Sequence, residues 1–129
     1  PGGCVALHGG IVLGLDRLNS ISKIDTENMC AEAQPGVILG DFQQAVEDCG
    51  LFYPPDPASL QWCTLGGNVA ENAGGPRALK YGVTKDYCLG LRVVCWVLFE
   101  VVRLFCSLVC SFSPSFILTG NCKAMSSSS

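Results

Sequence analysis

The chain has 129 residues, a net charge of −3 and 49% hydrophobic residues. This length accommodates one domain at most. An acidic chain without a basic patch lacks the cations that neutralise nucleic-acid phosphates, so we expect no nucleic-acid partner.

The nine cysteines favour neither a disulfide framework nor a zinc site. Cys106 and Cys110 lie four residues apart, but in an apolar run with no histidine nearby. Single cysteines in strands and helices usually behave as small buried hydrophobes, and five occur in this way: Cys4, Cys30, Cys49, Cys63 and Cys88. We therefore predict no metal site and a reducing compartment, the cytoplasm, or the mitochondrion if the source is eukaryotic.

Three short strands are predicted in the first third of the chain. Ile11–Leu15 is an apolar run closed by Asp16. Ile21–Asp25 alternates apolar and polar residues, as a half-buried strand does. Met29–Ala33 is its predicted hairpin partner, across a turn at residues 25–28.

The next predicted element is an amphipathic helix from Leu39 to Cys49, which Gly50 ends. Its apolar residues recur at the helical spacing of three and four: Phe42, Ala45, Val46 and Cys49. An extended Leu51–Tyr53, a helical turn over Gly67–Ala73 and a strand over Tyr87–Val94 follow. Antiparallel strands with a helix between them predict an α+β fold.

Residues 54–82, PPDPASLQWCTLGGNVAENAGGPRALKYG, form the most informative segment. Prolines fix the direction of the backbone, and paired glycines let it approach a ligand or adopt positive φ. Both properties suit amides that point at a phosphate. The alternative is a glycine-rich turn that only connects two strands.

Several motifs together resemble one family. Tyr53–Ser59 (YPPDPAS), Cys63–Gly75 (CTLGGNVAENAGG) and Leu79–Gly82 (LKYG) resemble the second flavin-binding segment of the FAD-linked oxidases of the vanillyl-alcohol-oxidase type. Gln34–Val37 (QPGV) is similar to a further element of that family. The resemblance covers about residues 1–94. Within the family, the chain is most similar to the glycolate oxidase FAD-binding subunit and to the D-lactate and D-2-hydroxyglutarate dehydrogenases.

The resemblance implies an α+β, partial PCMH-type FAD-binding domain over residues 1–94, with an antiparallel or mixed sheet and helices. It also implies FAD as cofactor. In this family a C-terminal domain carries the catalytic and substrate-binding residues, so no catalytic residue is assigned. His8, the only histidine, is expected to be a surface or structural residue. Pro1–Gly3 resembles the tail of the family's first pyrophosphate loop, so we expect the sequence to be truncated at its start.

The same resemblance implies the cofactor-binding residues. The amides of the 64–67 turn and the Thr64 hydroxyl would donate to phosphate oxygens. Asn68 and Asn72 would bond phosphate, ribitol or the loop's own carbonyls. A proline and an aspartate would form a wall near the isoalloxazine, and the second glycine pair would let the chain pass close to the cofactor. The predicted residues are Pro55, Asp56, Thr64, Gly66, Gly67, Asn68, Asn72, Gly74 and Gly75.

Residues 95–129 are predicted to be an unrelated apolar and serine-rich tail. In the family a Pro-Asp-Gly type of turn precedes a strand like Glu100–Arg103, whereas here five bulky apolar residues, 95–99, stand in its place. A disrupted reading frame or a retained intron would explain this misfit. Sixteen of the twenty residues from 93 to 112 are apolar, so a membrane anchor stays open as an alternative.

Three functions compete. The first is the FAD-binding portion of a flavin-dependent 2-hydroxyacid dehydrogenase or oxidase of the glycolate or D-lactate class, which oxidises a D-2-hydroxy acid to the 2-oxo acid. Its partners would be that substrate, an unidentified electron acceptor and further subunits of an oxidase complex. The second is a membrane-anchored or partner-binding, non-catalytic fragment of the same domain. The third is a remnant that folds poorly, with unpaired sheet edges.

Overall fold

The computed structural model of the chain describes residues 5–10, 12–94, 100–102, 117–123 and 125–126. Seven strands form two antiparallel sheets in these residues: β1 (Ile21–Asp25), β2 (Cys30–Ala33), β3 (Leu51–Phe52), β4 (Cys88–Val94), β5 (Glu100–Val102), β6 (Ile117–Lys123) and β7 (Met125–Ser126). The larger sheet has the order β1-β2-β6-β4-β5, and β3 pairs with β7. Four helices accompany them: α1 (Leu39–Asp48), α2 (Leu65–Glu71), α3 (Ala78–Tyr81) and α4 (Thr84–Tyr87). The predicted α+β class is confirmed.

The β1–β2 hairpin forms where the alternating pattern predicted it. Its turn is closed by Asp25, whose carboxylate accepts hydrogen bonds from the Asn28 backbone N–H at 3.0 Å and from the Asn28 side chain at 3.1 Å. Lys23 Nζ donates a third, also at 3.1 Å. The Asn28 bonds, and after them the Lys23 ammonium, lower the pKa of Asp25 to about 2. A charged Asp25 therefore helps to hold the turn.

Helix α1 forms as predicted, and its inner face anchors the core. Leu39, Phe42 and Val46 are fully buried, whereas Cys49, predicted on the same face, is exposed. The reason is its position, because Cys49 is the C-cap, where the chain leaves the helix. Gly50 follows with a φ of 73° and donates its N–H to Glu47 O at 2.8 Å, which ends the helix.

The core joins α1 to the segment that carries the predicted site. Phe42 and Tyr53 pack edge to face, with ring centroids 5.2 Å apart, and Tyr53 packs against Tyr87 at 5.8 Å. The Tyr87 hydroxyl donates to Tyr81 O, and burial, with a smaller contribution from the Asp86 charge, raises the pKa of Tyr87. The aromatic contacts fix the start of the proline-rich stretch against the helix.

The predicted strand over Ile11–Leu15 is wrong in the described part, residues 12–15, which form no strand. Val12 and Leu13 are exposed. An apolar run becomes a strand only when another strand pairs with it, and none of the described strands does.

Part of the segment predicted as a tail belongs to the sheets. β5 pairs with β4, in the place where the family pattern has a strand, and β6 pairs with both β2 and β4. Residues 95–99 lie outside the described residues, as does most of the apolar run. Among the helices of the described residues, none has the length and hydropathy needed to span a bilayer.

Candidate cofactor site

Two loops on either side of α2 form the candidate site: the proline loop, residues 53–57, and the glycine loop, residues 73–77. The Asp56 N–H donates to Gly74 O at 3.0 Å, and Arg77 Nε lies 3.2 Å from Asp56 Oδ2. The approach at Gly75 is closer still, because a Cβ there would lie 1.9 Å from Asp56 O. The two loops are thus fastened to each other, and only glycine fits at position 75.

The first glycine pair does not present free amides. The Gly66 N–H donates to Pro35 O at 2.9 Å, and the neighbouring Leu65 N–H donates to Val37 O at 2.9 Å. A Cβ on Gly66 would lie 2.7 Å from Pro35 Cβ, so packing alone requires glycine at this position. The predicted phosphate contact of the Gly66 amide therefore competes with a bond inside the protein.

Thr64 and Gly67 bond to each other. Thr64 is the N-cap of α2, and its Oγ1 accepts from the Gly67 N–H at 3.2 Å. Gly67 is exposed, and a phosphate oxygen can replace Oγ1 as the acceptor there. The predicted cofactor contacts of these two residues stay predictions, with Thr64 serving α2 in the described structure.

The second glycine pair does present free amides. Within residues 12–94, no partner accepts the N–H of Gly74 or of Gly75. Ala73 O, which shares a peptide plane with the Gly74 N–H, accepts from Thr84, and Gly74 O, which shares a plane with the Gly75 N–H, accepts from the Asp56 N–H, so both peptide planes are held in place. Gly75 has a φ of 122°, which side-chain-bearing residues rarely adopt. Two consecutive fixed amides of this kind suit an anion.

The two asparagines differ. Asn68 on α2 is 3% exposed, and its Nδ2 has no hydrogen-bond partner in the described part of the chain. Because an unsatisfied buried donor costs about 1–3 kcal/mol, a ligand oxygen at this atom would stabilise the fold. Asn72 instead ends α2 in the left-handed conformation, and its Oδ1 accepts from the Lys85 N–H at 3.0 Å. The structure thus gives Asn72 a role in joining α2 to α4.

The proline loop is held from inside. Pro54 and Pro55 are fully buried, and the Pro55 carbonyl accepts from Gln43 Nε2 on α1 at 2.7 Å. Asp56 is half-buried and faces Arg77, whose guanidinium also lies over the Phe52 ring at 5.4 Å. Of the two residues predicted to form the wall, Asp56 is partly exposed, whereas Pro55 is fully buried and supports Asp56 from below. The wall near the isoalloxazine stays a prediction, with Asp56 as the residue that a ligand can reach.

Sequence reasoning missed two residues that shape the site. Gln43 was not among the predicted site residues, although it is buried and bonded to the proline loop. Thr84 donates both its N–H and its hydroxyl to Ala73 O, at 3.0 and 2.6 Å, and so fixes the start of the glycine loop. The position of Gln43, directly after the core residue Phe42, was a sequence signal that its side chain could be buried. No sequence signal indicated the role of Thr84.

Comparison with known proteins identifies the family of the chain. The family model described as "FAD binding domain" matches residues 1–97, and the chain belongs to that family. The predicted cofactor, FAD, is confirmed at this level.

Among curated proteins, the chain is 56% identical over 93 residues to the glycolate oxidase subunit GlcD of Bacillus subtilis (strain 168), covering 72% of this chain and 20% of that protein. It is 48% identical over 93 residues to the D-lactate dehydrogenase of Anaerostipes hadrus, covering 72% and 19%. It is 40% identical over 90 residues to the D-2-hydroxyglutarate dehydrogenase of Stutzerimonas stutzeri (strain A1501), covering 70% and 19%. The chain spans about a fifth of the length of these relatives.

Solved structures confirm the fold. Two structures of alkyldihydroxyacetonephosphate synthase, in two crystal forms, superpose with TM-scores of 0.70 and 0.73 at 20% and 23% identity. Each match covers 86% of this chain, and 22% or 24% of the other one. These identities support the architecture alone.

The described residues fit FAD. A dinucleotide diphosphate needs several hydrogen-bond donors that the protein does not already use. The free amides of Gly74 and Gly75 and the buried Nδ2 of Asn68 are such donors. The exposed Gly67 amide adds a fourth if phosphate replaces Thr64 Oγ1.

Proposed function

We propose that the chain is the FAD-binding portion of a flavin-dependent dehydrogenase or oxidase of D-2-hydroxy acids, of the glycolate or D-lactate class. The observation that supports this most strongly is the fixed, unpaired amide pair of Gly74 and Gly75 inside a segment with a family match. The named activities of the relatives supply the substrate class. No described residue is proposed as catalytic, because the residues of this segment suit binding rather than proton transfer.

The residues of the chain act by holding and orienting the cofactor. The Gly74 and Gly75 amides donate to the diphosphate, and Asn68 Nδ2 donates to a phosphate or ribitol oxygen beside α2. Asp56, supported by the buried Pro55, forms a rigid boundary that limits where the cofactor lies. When bound, FAD supplies the ring that accepts two electrons as the α-carbon of the hydroxy acid is oxidised to the 2-oxo acid.

We further propose the partners and the location. A small D-2-hydroxy acid is the substrate, and a separate electron acceptor reoxidises the flavin. Since one relative is named as a subunit, further subunits of an oxidase complex are proposed as partners. Free thiols on Cys30, Cys49 and Cys63 support a reducing location, the cytoplasm, or the mitochondrion if the source is eukaryotic.

A competition experiment tests the binding step. The full chain is titrated with FAD, and binding is followed by the change in flavin fluorescence and by flavin retained after gel filtration. If backbone amides grip the diphosphate, ADP will displace FAD, whereas riboflavin, which has no phosphate, will not. If the chain retains FAD, but riboflavin displaces the FAD and ADP does not, the proposed mode of binding is contradicted. No retention at all would overturn the proposed function.

The substrate class is tested separately, on the flavin-loaded protein that contains this chain. Glycolate, D-lactate and D-2-hydroxyglutarate are each added without oxygen, and the loss of the oxidised flavin absorption is recorded. L-lactate serves as the stereochemical control. Reduction by at least one D-acid or by glycolate is expected. Reduction by none of them would reject this substrate class while leaving FAD binding intact.

A further inference from the structure

Gln43 is a buried polar residue that the proposed binding mode does not use directly. It is 8% exposed and lies on α1 between Phe42, which is buried in the core, and Gln44, which is exposed to solvent. Its Nε2 donates two hydrogen bonds to the proline loop, to Tyr53 O at 3.0 Å and to Pro55 O at 2.7 Å. One amide group therefore satisfies two buried carbonyls on either side of Pro54.

The proline loop depends on these bonds because it has few backbone donors of its own. Pro54, Pro55 and Pro57 have no N–H, so the only amide hydrogen from residue 54 to residue 57 belongs to Asp56. That hydrogen is donated to Gly74 O. The loop is thus bonded on one side to α1 through Gln43 and on the other side to the glycine loop through Asp56.

We infer that Gln43 is a positioning residue for FAD, which sets the place of the Gly74 and Gly75 amides through the proline loop. The close approach of Asp56 O to Gly75 transmits the position, because a shift of the proline loop towards Gly75 has no free space to enter. Helix α1 is a firm base, since Phe42 and Val46 are fully buried. This inference rests on the proposed function.

Gln43→Met and Gln43→Glu test the inference in the full chain. Methionine keeps the length of the side chain and removes the donors, and glutamate replaces the amide donor with a carboxylate that repels both carbonyls. We expect FAD affinity to fall about tenfold for Gln43→Met and further for Gln43→Glu. Gln44→Met and Gln44→Glu are the matched controls, because Gln44 is exposed and bonds only to Asp48 in the described residues. They should bind FAD as the wild type does.

Two further measurements separate positioning from a general loss of stability. Urea unfolding of the FAD-free variants gives the folded fraction, to which each affinity is referred. Hydrogen exchange at the Asp56 amide reports directly on the bond to Gly74. Slow exchange in the wild type and in the Gln44 variants, and exchange at least tenfold faster in Gln43→Met, are expected. The inference requires slow exchange of the Asp56 amide in the wild type, and this can be measured even if neither Gln43 variant folds. Rapid exchange of this amide in the wild type would overturn the inference.

The outcomes of the two proposals are distinct. The role of Gln43 is overturned, and the proposed function is not, if the wild type and the Gln44 variants retain FAD and Gln43→Met binds FAD with equal affinity per folded molecule. A wild type that retains no FAD overturns the proposed function and this inference with it.

Discussion

Replacing Gly75 with alanine tests the closest contact in the candidate site. The new Cβ would lie 1.9 Å from Asp56 O and 2.9 Å from Pro57 N, so the proline loop must retreat by about 1.5 Å to reach ordinary contact at 3.4 Å. The atoms met are backbone atoms of a loop that Gln43 holds, and they have no rotamer to change. Overpacking costs about 1–3 kcal/mol, and the φ of 122° adds about 1–3 kcal/mol.

The Gly75→Ala chain is therefore expected to lose about 2–6 kcal/mol of its free energy of unfolding, a large part of the stability of an ordinary domain. Gly50→Ala is the matched control, because Gly50 also has a positive φ, 73°, but no atom of the described residues lies within 4 Å of the new Cβ. It should lose only about 1–2 kcal/mol. Urea unfolding of the FAD-free proteins measures both. Equal losses would refute the close approach of the two loops.

Asn68→Ala removes a buried donor that has no partner in the described residues. It should weaken FAD binding about tenfold in the fluorescence titration, and an unchanged affinity would exclude Nδ2 as a ligand contact. Asp25→Ala tests the hairpin turn. Because the folded-state pKa of Asp25, about 2, lies below its ordinary value of 3.8, its charge adds stability that is complete above that ordinary value and is lost as the pH falls through 2. Urea midpoints measured from pH 5 to pH 2 should therefore fall less steeply in Asp25→Ala than in the wild type, and parallel curves would contradict the assignment.

The elements that the sequence predicted well depend on short-range patterns. The β1–β2 hairpin follows from alternation and from an Asp-to-Asn turn that bonds within four residues. Helix α1 follows from its apolar spacing and from Gly50. In both cases the residues that decide the structure lie next to one another in the chain.

The predictions that the sequence could not refine depend on distant partners. Gly66 and Gly74 occupy similar Gly-Gly motifs, yet the Gly66 amide meets Pro35 O, some thirty residues away, and the Gly74 amide meets no partner in the described residues. Only the fold separates them. The same holds for β6, whose pairing with β2 joins positions about ninety residues apart.

The proline-rich stretch beside the site also restricts what else the chain can join. An extended segment adds to a foreign strand through alternating amide hydrogens and carbonyls, and from Pro54 to Pro57 the one amide hydrogen is already donated to Gly74. Proline at such positions prevents edge-to-edge association of sheets. A binding surface made largely of backbone groups would otherwise favour aggregation. Here the adjacent proline-rich stretch offers no free amide hydrogen to a strand of another chain.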